Sequence, residues 1–137
     1  MPLVFAVHPR TLASAQKAGL ADRLAEGQPR LVCLGPVSYQ VALSLVAEAR
    51  LVMTDSGGLQ EETSVLRVPC LTLRENTERP VTVERGTSRL VGNDPARIRS
   101  AFTDVMAHRW PAGQEIPLWD GRAGERVARE LATWLGG

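Results

Sequence analysis

Aromatic side chains are scarce in this sequence, at 4% of 137 residues. That is too few for a platform on which bases stack. An excess of one charge is also missing, because 16 basic residues meet 15 acidic ones for a net charge of +1. Such a balance supplies no electrostatic pull toward nucleic acid or an anionic membrane. Cysteine is limited to Cys33 and Cys70, each inside or beside an apolar, strand-like run. They read as buried free thiols. His8 and His108 are far apart, and no Cys or His cluster has the spacing of metal ligands. No metal site is therefore expected. No apolar run approaches the roughly 20 residues of a membrane span. No basic leader precedes the first apolar run either. The expectation is a soluble, cytoplasmic chain.

What is present is core material, since 44% of residues are hydrophobic. The length suits one domain over 1–137. Short apolar runs alternate with helical patterns throughout. Strands are predicted at 3–7, 30–34, 51–53, 70–73 and 88–92. The run 3–7 is continuously apolar, as in a strand covered on both faces. Helices are predicted at 12–18, with Thr11 as cap, at 39–49 behind Ser38, at 59–66, at 80–84, at 96–108 behind Asp94-Pro95, and at 123–135. Inward positions are Val41, Leu45, Val46 and Ala49 in the second of these. In the third they are Leu59, Thr63 and Leu66. The fifth offers Ile98, Phe102, Val105 and Met106, and the last a stripe of Val127, Leu131 and Leu135. Single strands between helices imply right-handed crossovers and a parallel sheet. The predicted fold is α/β, an open three-layer Rossmann-like sheet.

The chemistry concentrates at Thr54-Asp55-Ser56-Gly57-Gly58-Leu59-Gln60-Glu61-Glu62. Strand, Ser-Gly-Gly turn, helix is a geometry that binds anions. First-turn amides lack intrahelical partners, and the dipole is positive there. Two glycines remove the Cβ atoms that would hold a phosphate away from the backbone. Ser56 offers a hydroxyl to a phosphate oxygen, or caps the helix. Glu62, about one turn on, suits a sugar diol. A capped helix start with no ligand is the plainer alternative. Two other strand ends carry charge. His8-Pro9-Arg10-Thr11 follows the first strand, where His8 is either a ligand-facing side chain or a turn residue bonded to nearby backbone. Arg74-Glu75-Asn76-Thr77-Glu78-Arg79-Pro80 follows the fourth. That loop is either a self-neutralising solvated segment or the carrier of Arg79 to a diphosphate. Trp110 to Trp119 reads as an irregular segment whose tryptophans pack locally or mark a contact surface.

Taken together these stretches resemble the C-terminal half of the non-hydrolysing UDP-N-acetylglucosamine 2-epimerases. The matching elements are His8-Pro9-Arg10-Thr11, Gly35-Pro36-Val37-Ser38-Tyr39, Met53 through Glu62, Val68-Pro69, Leu73 through Pro80, Gly86 with Leu90-Val91-Gly92, and Asp120-Gly121-Arg122-Ala123. The Asp-Ser-Gly-Gly-Leu-Gln-Glu-Glu and Thr-Glu-Arg-Pro elements in one chain make the match specific. The resemblance implies a glycosyltransferase-B-type, two-domain enzyme that interconverts UDP-N-acetylglucosamine and UDP-N-acetylmannosamine for cell-envelope polysaccharide biosynthesis. UDP is eliminated and added back on the inverted sugar, without metal or redox cofactor.

It further implies that Ser56, Gly57 and Gly58 hold phosphate, Glu62 the ribose and Arg79 the diphosphate. His8 is implied as a candidate for a regulatory substrate site. The family's first domain, its His-Arg-x-Glu-Asn motif and its proton-transferring acids have no counterpart in 1–137. No catalytic residue is therefore assigned to this chain, and it is expected not to turn over substrate alone. Ala42 stands where some relatives carry an aromatic residue. A UDP-sugar is the expected partner and a homodimer the expected assembly. The alternatives are half of a UDP-sugar hydrolase or glycosyltransferase, and a non-catalytic nucleotide-sugar-binding module.

Overall fold

The structure, a computed structural model, describes residues 1–24 and 29–136. The charged and polar stretch 21–29 reads in sequence as a helix remnant and a loop, and its residues 25–28 lie outside the described residues. The chain divides into two compact units, Met1–Leu45 and Val46–Gly137. All described strand pairs are parallel and alternate with helices, so the architecture is α/β and Rossmann-like. The ladders form two sheets, one of two strands and one of three.

In the first unit β1 (Leu3–Ala6) pairs with β2 (Leu31–Leu34), Leu3 opposite Leu31 and Ala6 opposite Leu34. Between them run α1 (Pro9–Lys17) and a short 3-10 turn at Ala21–Leu24. The first strand is not covered on both faces as its apolar run suggested. Leu3 and Val4 are 50% and 42% exposed. The cause is local: β1 has one neighbour in its sheet, and α1 buries no residue. Helix α2 (Tyr39–Ala47) carries the chain across the boundary between the units. Its backbone at Val41 donates to Ser38 Oγ at 3.4 Å, the cap expected there. Val46 is buried, whereas Val41, also expected inward, is exposed.

The second unit holds β3 (Val52–Thr54), α3 (Gly57–Leu66), β4 (Cys70–Thr72), α4 (Pro80–Glu84), β5 (Ser88–Leu90), α5 (Pro95–Met106) and α6 (Ala123–Leu135). Strand order is β3-β4-β5. The core cluster is Leu71, Val91, Ala101 and Val105, flanked by Leu51, Leu73, Ile98, Met106 and Trp110. β4 is the middle strand and its residues are fully buried, which is why Cys-Leu-Thr reads as a continuous run. Burial pushes the Cys70 thiol up, against smaller opposing contributions from the hydroxyls of Thr63, Ser88 and Thr72. Asp94 caps α5, accepting from the amide of Ala96 at 2.8 Å, with Pro95 in the first turn.

Three inward assignments are corrected. Phe102 is 37% exposed, because the buried line of α5 runs through Ala101 and Val105. In α3 the buried side is Gln60, Thr63 and Ser64, and Leu66 is exposed. The stripe of α6 exists, but Val127, Leu131 and Leu135 are 57%, 51% and 73% exposed. Trp110 packs locally: its ring takes the Arg89 guanidinium at 4.0 Å, and Nε1 donates to the carbonyl of Thr87 at 2.9 Å. Among the described residues no helix is long and apolar enough to cross a membrane.

Candidate functional site

The turn between β3 and α3 is built from its hydroxyls inward. Thr54, the buried last residue of β3, accepts from the amide of Ser56 through Oγ1 at 3.0 Å. This bond fixes the turn. Ser56 is extended, with φ −79° and ψ 128°, and its Oγ accepts from the amide of Leu59 at 3.5 Å. It is therefore the N-cap of α3. Gly57 and Gly58 form the first turn. A Cβ at Gly57 would lie 2.6 Å from Glu78 Oε1, the exposed end of a flexible side chain, and 3.6 Å from Arg79 Cγ. Gly58 is open, with only Ser56 Oγ nearby, at 3.8 Å from its would-be Cβ. An incoming group thus meets bare backbone at Gly58 and the β4–α4 loop at Gly57.

Glu62 follows Gly58 by four residues on the same helical face. Its carboxylate makes no hydrogen bond or ion pair among the described residues. The neighbouring acid is engaged instead, because Glu61 Oε1 takes Arg79 Nε at 3.1 Å. Both partners are substantially exposed, at 39% and 45% of their side chains. The pair is accessible and weakly stabilising, so an anion of higher charge can displace the carboxylate from Arg79. Glu78 pairs with Arg74 at 2.8 Å. Its carboxyl is held below the usual range, first by its own backbone amide, then by the charges of Arg74 and Arg79. It remains ionised and lies beside Gly57, so an anion settling there requires it to turn toward Arg74.

Ser56, Gly57, Gly58, Glu62 and Arg79 are therefore collected around one helix start. His8 belongs to the first unit. Its Nδ1 accepts from the amide of Arg10 at 3.1 Å, and it caps α1. Thr11, expected as that cap, lies within the helix. Proline at the first helical position needs no amide partner, so the helix starts at Pro9, three residues earlier than predicted.

Sequence reasoning missed Gln60 and Thr77. Gln60 is fully buried. Its Oε1 accepts from Thr77 Oγ1 at 2.7 Å, and its Nε2 donates to the carbonyl of Ser56 at 3.3 Å. Thr77 Oγ1 accepts in turn from the amide of Arg79 at 3.0 Å. The available signal was the i, i+3, i+4 spacing of Gln60, Thr63 and Ser64, a polar stripe on a helix between two parallel strands.

An open cavity of about 460 Å³ lies elsewhere, at the amino ends of β3 and β4, lined in part by Arg50, Arg67, His108 and Trp110. None of the turn residues borders it. Arg67 and His108 sit there because each follows a helix, with left-handed φ of 60° and 56°. A cation in that place complements the negative end of a helix. Among the described residues no group of three or more His, Cys, Asp or Glu is placed to hold a metal ion.

A family model described as UDP-N-acetylglucosamine 2-epimerase matches residues 1–132. The chain is 40% identical over 129 residues to the UDP-N-acetylglucosamine 2-epimerase of Methanocaldococcus jannaschii, covering 94% of this chain and 34% of that protein. It is 39% identical over 127 residues to the enzyme of the same name from Methanococcus maripaludis, covering 91% and 33%. The chain thus spans about a third of the length of these curated relatives. Among solved structures, the M. jannaschii epimerase in complex with UDP-GlcNAc and UDP superposes with a TM-score of 0.85 at 38% identity, over 96% of this chain and 36% of that one. The Neisseria meningitidis epimerase bound to UDP-GlcNAc gives 0.74 at 28% identity, over 97% and 36%.

Proposed function

Because the chain belongs to the UDP-N-acetylglucosamine 2-epimerase family, a family of isomerases, we propose that 1–137 is the domain that grips the UDP end of the nucleotide sugar. The observation that carries this reading is the start of α3. A serine cap, two glycines and a free helix terminus stand next to a guanidinium whose present partner is an exposed carboxylate. The diphosphate lies over the amides of Gly57 and Gly58, with Ser56 Oγ beside it. Arg79 leaves Glu61 and takes two phosphate oxygens, because a planar fork matches that geometry. Glu62, without an internal partner, accepts from the ribose hydroxyls.

The reaction of the whole enzyme, on this proposal, interconverts UDP-N-acetylglucosamine and UDP-N-acetylmannosamine by losing and regaining UDP. In it these residues have one task, to hold the departed UDP while the sugar inverts. Developing negative charge on the leaving phosphate is met by the helix terminus and by Arg79. Proton removal needs a positioned base and acid of suitable pKa. On this reading the carboxylates here do not supply that pair, since Glu62 is taken by the ribose, and Glu61, once freed from Arg79, has beside it only Glu78, which is held ionised and cannot act as the acid. The chain alone therefore binds but does not epimerise.

The test is an amide-detected titration of the 137-residue chain with UDP. Shifts are expected at Gly57, Gly58 and Arg79. Arg79→Ala is expected to weaken binding by roughly 1.5–3 kcal/mol, the range for a charge-assisted bidentate contact. Unchanged affinity in that variant refutes the diphosphate assignment. Conversion of UDP-N-acetylglucosamine by the chain alone refutes the division of labour.

A further inference from the structure

We infer that Gln60 is a positioning residue, which through Thr77 sets the spacing between the glycine turn and Arg79. The inference rests on the nucleotide reading above. It concerns a residue that reaches no ligand itself. Gln60 is buried to 0% exposure. A primary amide without partners is costly in that setting, so its bonds dictate what surrounds it.

Those bonds run to the two walls of the site and to nothing else. Nε2 reaches back to the carbonyl of Ser56, the residue that caps α3. Oε1 receives the Thr77 hydroxyl from the β4–α4 loop, seventeen residues away in sequence. The same hydroxyl then accepts from the amide of Arg79. A hydroxyl that donates once and accepts once joins the buried amide to the guanidinium's own backbone. The other side of Arg79 is held as well: its carbonyl accepts from Thr82 Oγ1 at 2.8 Å and from the amide of Thr82 at 3.0 Å. The stem of Arg79 therefore starts from a backbone bonded on both sides. Only the side-chain end, on Glu61, is free to exchange partners. An ion pair alone cannot set this spacing, since Arg74, Glu75, Glu78 and Arg79 all pair through long, exposed side chains. The neutral chain Ser56–Gln60–Thr77–Arg79 is short and is buried at its centre, Gln60, which makes it the rigid part of the site.

The experiment uses the 137-residue chain with Gln60→Met, which keeps the length of the side chain and removes both bonds, with Thr77→Val, and with the double variant. Each is titrated with UDP and with uridine, read by amide shifts, and hydrogen exchange is followed at the Arg79 amide. Each single variant is expected to weaken UDP about tenfold. Uridine, which lacks the diphosphate, is expected to bind as before. The double variant is expected to be no worse than either single one, because both cut one connection. The Arg79 amide is expected to exchange faster in Gln60→Met although Thr77 is intact. Equal loss of UDP and uridine affinity would show a general structural role and overturn the inference. Losses that multiply in the double variant would overturn it too. If Gln60→Met does not fold, Thr77→Val decides by the same ratio of UDP to uridine. If the unsubstituted chain binds no UDP, the nucleotide reading fails, and the connection is judged by exchange alone: faster at Arg79 in Gln60→Met upholds it, unchanged overturns it.

Discussion

Two strand-to-helix turns in this protein share a backbone plan and differ in what they leave open. At the β1–α1 turn His8 is extended, with φ −69° and ψ 142°, and caps its helix through Nδ1. At the β3–α3 turn Ser56 is extended, with φ −79° and ψ 128°, and caps through Oγ. Both follow a parallel strand, where open α/β sheets place their ligands. After His8 comes Pro9, which has no amide to offer and a ring in the way. After Ser56 come two glycines that leave amides bare. Helix α1 buries nothing, while α3 buries Gln60, Thr63 and Ser64. The difference teaches that, of two capped helix starts, the one with a stripped first turn and an anchored far side is the one that leaves amides open, as the proposed diphosphate contact requires.

The strongest way to break that comparison is at the anchor. A Cβ at Gly86 would lie 2.2 Å from Ser64 Oγ and 2.6 Å from the Thr82 carbonyl, so α3 and α4 cannot both keep their places. Gly86→Ala is expected to cost about 3 kcal/mol in chemical denaturation. Gly35→Ala, in the first unit with nothing within 4 Å, is expected to stay within about 0.5 kcal/mol. Equal effects would remove the claim that the chain around α3 and α4 is more tightly packed than the first unit at Gly35. Next in size is the stripped first turn itself. Gly57→Val pushes a branched side chain against Glu78 Oε1 and covers the amides. UDP affinity is expected to fall on the order of a hundredfold by titration. An unchanged dissociation constant would mean that the phosphates lie elsewhere.

These outcomes bear on what was legible beforehand. Element order, the caps at Ser38, Ser56 and Asp94, and the helix start at Pro80 could be read from residue type and spacing, because capping and proline chemistry are local. The gathering of Ser56, Gly57, Gly58 and Glu62 was legible for the same reason, since all lie on one turn and one helix. The position of Arg79 beside Glu61 was not, because it depends on how the β4–α4 loop returns to α3. Gln60 and Thr77 were missed because a buried polar pair has no periodic apolar signature. Phe102 was placed inward because apolar type was taken for orientation, whereas Ala101 holds the buried line. His8 was read as open to either role, and the structure shows the backbone bond.

A smaller effect sharpens the contrast from the other side. His8→Ala removes the cap of α1 and is expected to cost about 1 kcal/mol of stability, with UDP affinity unchanged. His8→Asn is expected to restore most of it, since an amide oxygen can take over from Nδ1. A lowered UDP affinity in His8→Ala, with Asn failing to rescue it, would give His8 a ligand-facing part beyond its capping bond.

The smallest expected effect concerns a third helix start, where Arg122 is the N-cap without a side-chain bond and a carboxylate in the preceding turn can titrate. Asp120 Oδ1 accepts from the amide of Arg122 at 3.0 Å and from Arg126 Nη1 at 2.9 Å, and Oδ2 also receives Arg126 Nη2. The guanidinium of Arg126, and then the Arg122 amide, hold the carboxyl at about 2 rather than the ordinary 3.8. A carboxyl depressed by folding stabilises only while ionised. Its contribution is complete above the ordinary value and is lost as pH falls through the folded one. The window is therefore pH 4 down to pH 2, and the attachment of α6 to the preceding turn should loosen across it. Far-ultraviolet circular dichroism is expected to show a loss of helix in that interval that Asp120→Asn flattens. Salt should weaken the effect, because the pair is exposed to solvent. Ser56, a hydroxyl, does not titrate, so its bond to Leu59 is expected to persist through the same window by amide exchange. If helix loss between pH 4 and 2 were the same with asparagine at 120, the Asp120 bonds to Arg122 and Arg126 would contribute nothing that protonation can remove.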